Sequence, residues 1–212
     1  MTLGIDVSSY QGPIDWARVR NESPVRFAMV RLAEWRAGKI GLDSLAQDNI
    51  DGAREAGIVV GTYVRVDPVN NTPEHEAMQW AGYRSLLDVD RPGFLVPAFD
   101  IEDKSDRSSW LREFIDAHRR ISPHLHDRVI IYTSGSFPAT YYPTGWDRTD
   151  QRVALWVANW SAAPGATGYT FAGRTAIHQY SNTGTVPGIT GAVDLDCTMA
   201  GWSLLDLAVD LR

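Results

Sequence analysis

The sequence predicts an α/β fold: a (β/α) barrel of eight strands with helices missing on its C-terminal side. Three observations predict it. Eight short runs rich in β-branched and aromatic residues recur along the 212 residues. Helix-period patterns separate several of the earlier runs. Between residues 134 and 190 the connections turn rich in Gly, Pro, Thr and Ser, and no long helical pattern appears. Strand–helix alternation argues for a largely parallel sheet, and eight such strands suit closure into a barrel.

The strand runs are "TLGIDVS", "FAMVRLAE", "IVVGTYVRV", "FLVPAFDIE", "RVIIYTS", "ALWVANW", "TAIHQYS" and "AVDLDC". The first helical pattern, "SLAQDNIDGAREAG" with Leu42 just before it, spaces Leu42, Ala46, Ile50, Ala53 and Ala56 three or four residues apart, and Gly57 stops it. The second, "TPEHEAMQWAGYRSLL", opens with Thr72 as N-cap and Pro73 at the first helical position. The third, "SSWLREFIDAHRRIS", aligns Leu111, Phe114, Ile115, His118 and Ile121, with Ser108 or Ser109 as cap and Pro123 after its end. The rival architecture is an open doubly wound sheet. No Gly-rich phosphate fingerprint follows any strand, which counts against a nucleotide-binding version of it. No repeat, low-complexity tract or linker marks a second domain, so residues 1–212 are expected to form one.

A hydrophobic content of 44% supplies one sizeable core, and a formal net charge of −6 without a basic block argues against nucleic acid as a partner. Cys197 is the lone cysteine, so it forms neither an internal disulfide nor a zinc cluster. The N-terminus "MTLGIDVSSYQG" lacks a signal-peptide pattern, and no run approaches the roughly 18–20 apolar residues of a membrane span. The expected location is the cytoplasm, or outside the cell by a route not written in the chain. No membrane insertion and a monomeric state are expected.

Chemistry in a parallel barrel gathers at the C-terminal strand ends. Asp6 ends the first run, Asp100 and Glu102 end the fourth, and Asp194 and Asp196 lie in the eighth. Tyr63, Tyr132, Trp156 and Gln179 stand at other strand ends. In "FLVPAFDIED" the two acids are separated by one Ile, so they share a strand face about 6–7 Å apart. Apolar residues run up to them, so partial burial is expected. Like charges in such a place push one pKa up, giving an acid beside a carboxylate. Glycosidic bond cleavage asks for that pair, and neighbouring aromatic rings offer faces for sugars. Taken alone, each acid reads equally as a solvated strand end, a loop cap or an arginine partner. Their joint placement favours a site.

In chain order, "GIDVSSYQGPIDW", "PAFDIED", "VIIYTS", "LWVANW", "HQYS" and "GAVDLD" resemble the motifs of glycoside hydrolase family 25, lysozymes of the N-acetylmuramidase type. The resemblance covers roughly residues 3 to 200. It implies an irregular TIM-like barrel that hydrolyses the β-1,4 bond between N-acetylmuramic acid and N-acetylglucosamine of peptidoglycan, with no cofactor. It implies Glu102 as general acid, Asp100 as its partner carboxylate, and Asp6 and Asp194 completing an acidic cluster. Tyr63, Tyr132, Trp156, Gln179 and Glu34 match groove-lining positions. A phage-type endolysin, released from the host cytoplasm to the cell wall at lysis, is one source of such a chain, and an extracellular, longer protein is the other. Three departures stand out: Arg31 where the family usually has Lys, Val64–Arg65 where His–Phe is usual, and Asp196 where Asn is commoner.

Other candidates are set aside. His124 and His126 in "SPHLHDR" read as loop residues, and His178 as packed in its strand. The acidic cluster lacks calcium-loop spacing, so no metal is expected. Trp146, Trp160 and Trp202 are assigned to core or rim packing rather than to sugar platforms, Cys197 to the interior, and Ser134 lacks a nucleophile frame. The rival functions are a catalytically decayed wall-binding barrel and a hydrolase of a related polymer such as chitin.

Overall fold

The computed structural model describes residues 1–36, 39–102, 105, 107–125, 128–136, 152–169, 171 and 174–209. Its strands are β1 (Leu3–Val7), β2 (Val25–Arg36), β3 (Lys39–Leu42), β4 (Val59–Arg65), β5 (Ala98–Asp100), β6 (Val129–Ser134), β7 (Val153–Ala158), β8 (Thr175–Gly184) and β9 (Val193–Thr198). The α-helices are α1 (Trp16–Glu22), α2 (Ala46–Glu55), α3 (Pro73–Leu86) and α4 (Ser108–Ile121). The sheet runs β1-β9-β8-β7-β6-β5-β4-β2, and β1 pairs with β2 to close an eight-stranded barrel. Among the described residues no α-helix follows β7.

Seven barrel strands are parallel, but β9 runs antiparallel to both neighbours, β1 and β8. A parallel reading places Asp194 at the far end of its strand. It stands instead at the start of β9, in register with Asp6. Reversing the strand therefore still delivers it to the mouth.

Each of the eight predicted runs forms a barrel strand, and β3 is a ninth strand beside them; it ends in Leu42, which the helical spacing places with Ala46 and Ile50. Its residues "KIGL" are mostly exposed and show no inward–outward alternation. They are strand only because they pair antiparallel with Ala33–Arg36. α1 was likewise missed. It is seven residues long, with Asp15 accepting the Arg18 N–H at its cap. The expected Thr72 cap of α3 is present, its hydroxyl accepting from His75 N–H. The expected serine cap of α4 is not: Ser108 is already helical, and Arg107 holds the cap position, where its side chain does not cap the helix. β5 is shorter than its apolar run. Pro97 has no N–H to give, and the N–H groups of Leu95 and Val96 go to Val60 and Leu207.

Alternation sorts the side chains by depth. On β2, Phe27 and Met29 are fully buried and Arg31 follows them towards the mouth. On β5, Phe99 packs outwards on Phe114 of α4, ring centres 4.7 Å apart, while Asp100 turns inwards. Glycine makes the interior fit: a Cβ at Gly4 would collide with the Phe27 ring, and one at Gly61 with the Met29 sulfur. Gly4→Ala is therefore expected to cost about 1–3 kcal/mol by overpacking. Denaturant midpoints would show it, and Phe27→Leu in the same chain should recover part of the loss.

Candidate active site

The floor of the barrel mouth is a hydrogen-bond network centred on Gln179. Its Nε2 donates to Asp6 Oδ2 at 2.7 Å. Its Oε1 accepts from the Tyr132 hydroxyl at 3.0 Å and from Trp160 Nε1 at 2.8 Å. Beside it, Trp156 Nε1 donates to Asp196 Oδ1 at 2.8 Å. These bonds tie residues of five strands, β1, β6, β7, β8 and β9, and Trp160, two residues beyond β7. Trp156 itself is buried and packs edge-on against Tyr63 and Tyr132, centroids 5.8 and 4.7 Å away. It lines the cavity as support beneath Asp196, with no open face for stacking.

Asp6 and Asp196 lie close enough to hydrogen-bond, and both are buried. Two charged oxygens would repel there, so one proton shared between them turns repulsion into an O–H···O bond. Burial, then the charges of Asp196 and Asp194, push Asp6 well above the usual carboxylate range. Burial, with Asp194 adding to it, pushes Asp196 up to about 8 against the Trp156 hydrogen bond. Burial also raises Asp194.

Above this floor opens a cavity of about 410 Å³ lined by Asp6, Asp100, Glu102, Asp194, Tyr63 and Gln179, among others. Asp100 and Glu102 share the expected inward face but not the same environment. Asp100 is buried, whereas the Glu102 side chain is 43% exposed. Burial, then the Glu102 charge, lift Asp100 well above the ordinary range, opposed by Arg65 and Arg31. The upshifted member of the pair is thus Asp100. Arg65 reaches Glu102 at 3.4 Å. Arg31 is held from below by Asp43 at 2.8 Å and pairs with Glu34 at 3.2 Å. Burial raises Asp43, but the N–H groups of Ser9 and Leu45 together with Arg31 outweigh it and hold its pKa low.

The structure brings Asp6, Asp100, Glu102, Asp194, Tyr63, Tyr132, Trp156 and Gln179 to one cavity. Glu34 is set apart from it, lining two shallower grooves of about 260 and 300 Å³ beside β3 and the segment after β4. Of the two placements expected for Trp160, the rim is the one found: it is 54% exposed and lines the cavity. Tyr10 was missed altogether. It stands 79% exposed on a single 3₁₀ turn, Ser9–Gln11, with the Arg31 guanidinium 5.3 Å from its ring centre. The signal was there in "SSYQ", since Ser8 and Gln11 form a capping box around that turn. His178 is packed as expected, Nε2 against Asn159 O and Nδ1 against Gly165 N–H, and Cys197 is buried. Trp202 is partly buried, beneath Arg174. Trp146 and His126 lie outside the described residues.

Asp196→Asn tests the shared proton. An amide keeps an acceptor for Trp156 and gives a donor to Asp6 without needing a proton. The raised acid is protonated in both folded and unfolded chains below about pH 4. Above that, folding keeps a proton that the unfolded chain releases, and the wild type loses stability until Asp196 ionises near 8. The variant should therefore gain on the wild type as pH rises from 5 to 8, by about 2–4 °C in Tm per kcal/mol. A pH-independent difference between the two melting curves would show that no such proton is held.

Residues 5–189 match the family model "Glycosyl hydrolases family 25". The chain is 30% identical over 194 residues to the autolytic lysozyme of Clostridium acetobutylicum, covering 91% of this chain and 54% of that protein. It is 28% identical over 203 residues to lysozyme M1 of Streptomyces globisporus, covering 90% of this chain and 65% of that protein. The chain thus spans between half and two thirds of the length of these curated relatives. Among solved structures, the bacterial lysozyme from Streptomyces coelicolor superposes with a TM-score of 0.78 at 25% identity, covering 100% of this chain and 98% of that one. Barrel, acidic mouth and sequence agree, and the chain belongs to glycosyl hydrolase family 25.

Proposed function

We propose that the chain is a lysozyme that hydrolyses the β-1,4 bond between N-acetylmuramic acid and N-acetylglucosamine in peptidoglycan. The observation that carries this reading is the division of one strand's two acids: Asp100 buried, Glu102 exposed at the cavity edge. The names of the relatives, lysozymes both, support the substrate. Residues 1–212 act as one catalytic domain, as a monomer, on the wall polymer. No helix among the described residues is long and apolar enough to cross a membrane.

Glu102 protonates the glycosidic oxygen as the C1–O bond breaks. The carbonyl oxygen of the sugar's own 2-acetamido group forms the new bond to C1. Asp100 accepts the acetamido N–H and balances the positive charge that develops on the five-membered ring. Glu102, now a carboxylate, takes a proton from water as that water opens the ring, so the configuration at C1 is retained. The Gln179 network holds Asp6 and Tyr132 beneath the reacting sugar, and Asp194 stands opposite Asp6 at the rim. Tyr10 and Trp160 flank it as exposed aromatic faces.

Digestion of purified peptidoglycan, followed by reduction and mass spectrometry of the new ends, tests the reaction. Ends in reduced N-acetylmuramic acid, lost by about 10²- to 10⁴-fold in Glu102→Gln, are expected. Ends in N-acetylglucosamine would make it a glucosaminidase. No new ends, with wall binding retained, would favour a decayed binding barrel, and faster release from chitin would move the substrate.

Asp100 also sets a pH dependence. Its role needs a carboxylate and its pKa is raised, so kcat/KM should fall on the acid side while the pH is still above the ordinary carboxylate range. Asp100→Asn should lower kcat by about 10²-fold or more and remove that limb. An acid limb that survives in Asp100→Asn would assign it to another group.

A further inference from the structure

Two arginines stand at the mouth, and their surroundings differ. Arg31 is 9% exposed at its side chain and is spent on Asp43 and Glu34. Arg65, the last residue of β4, is paired in register with Asp100, and its side chain is 59% exposed. Among the described residues, the carboxylate it reaches is that of Glu102, at 3.4 Å. Asp67, close by in sequence, is already engaged by the N–H groups of Val69 and Asn70 and by the Asn70 side chain at 2.8 Å. Arg65 and Glu102 are also the two residues common to the main cavity and to the 300 Å³ groove beyond β4. A polymer crossing from one to the other passes directly over this pair.

The pair carries a conflict. An ion pair with Arg65 uses Glu102 as a carboxylate, whereas proton donation uses it as an acid. Both cannot hold in one state. The conflict is resolved if the substrate brings its own anion. A carboxylate on the glycan, seated at the junction, offers the guanidinium a planar two-oxygen partner, the geometry arginine binds best. Glu102 is then released to hold the proton. The other charges facing the junction do not take the anion's place. Asp6, Asp100 and Asp194 lie on the floor and far rim, and Glu34 is tied to Arg31.

We infer that Arg65 is a specificity-determining residue, binding a carboxylate carried by the glycan beside the scissile bond and surrendering Glu102 as it does so. The inference rests on the lysozyme reading above. Two sources share the chemistry: the lactyl carboxylate of a muramic sugar, free once the stem peptide is removed, and the stem peptide's own carboxylates.

The test compares wild type, Arg65→Leu and Arg65→Lys on four substrates. These are glycan strands stripped of peptides, the same strands with their carboxyls amidated, intact peptidoglycan, and intact peptidoglycan amidated. For the wild type, kcat/KM should favour the charged member of one pair by about tenfold, the scale of one charge-assisted contact. Preference within the stripped pair names the lactyl carboxylate, and preference within the intact pair alone names the peptide. Arg65→Leu should bring that preference to about one, and Arg65→Lys should keep part of it. Equal fold losses on charged and amidated members, with the preference intact, would overturn the assignment and leave Arg65 a partner of Glu102 only. Calorimetric titration of Asp100→Asn, with and without Arg65→Leu, separates the two readings. Charge-selective binding that depends on Arg65, in a protein whose wild type releases no reducing ends, would overturn the lysozyme reading and uphold this one. No charge selectivity in binding or rate would overturn this one alone if reducing ends still appear.

Discussion

Closing the barrel with an antiparallel strand puts two carboxylates, Asp194 and Asp196, on the inner face of β9 against Asp6 of β1. The rest of the mouth is arranged around that constraint. A buried charge is costly unless it is paired or neutralised. Among the described residues no cation reaches this floor: Arg31 is turned to Asp43 and Glu34, and Arg65 to Glu102. What the floor receives is neutral donors, Gln179 Nε2 to Asp6 and Trp156 Nε1 to Asp196. Neutral donors stabilise one negative charge well and two poorly, so the pair keeps a proton. Gln179 is then fixed in its orientation by Tyr132 and Trp160, both donating to its oxygen. A rim aromatic is thereby held in place by the same amide that serves the floor.

This arrangement trades stability for a poised site. The acids at Asp6, Asp100, Asp194 and Asp196 all have pKa values raised by burial, so each would prefer solvent when ionised. The core around them offsets that cost: Phe27, Met29, Ile130 and Ile177 fill the barrel beneath, and α2, α3 and α4 cover its first half. Asn at 196 would serve the floor's hydrogen bonds with no proton to hold. The acid found there adds a charge and a pH dependence to the same geometry.

Much of this was legible in the chain because it depends on short-range pattern. The barrel strands alternate or run apolar, α3 announces itself with Thr72–Pro73, and D-x-E puts two acids on one face whatever the fold. Pairing decided what pattern did not encode. "KIGL" is strand only because β2 lies beside it, and the direction of β9 comes from which edges remained to be closed. Exposure was the weakest inference. A tryptophan is a core residue by default, so Trp160 read as packing, while Trp156, placed at a strand end, read as a sugar face. The structure reverses their exposure, because Trp156 lies within β7 with its ring buried under Asp196, and Trp160 stands exposed two residues past the end of the strand.

The same depth argument distinguishes the two acids of "DIE". Asp100 is the last residue of β5, still inside the barrel wall and in register with Tyr132. Glu102 is two residues further along, past the end of the sheet, with a longer side chain and water around it. Two positions of extended chain, about 6–7 Å, carry the chain from an interior that disfavours charge to a rim that accepts it. One strand therefore presents a substrate with two carboxyl groups of different character on one side. That asymmetry suits a reaction in which one group passes a proton back and forth while the other stays put against the acetamido group. A nucleophile and an acid acting from opposite faces of a sugar would instead call for two strands across the barrel. Such a pair would need a counterpart to Glu102 on the far wall. There the structure offers Asp194, which burial and hydrogen bonding tie to Asp6.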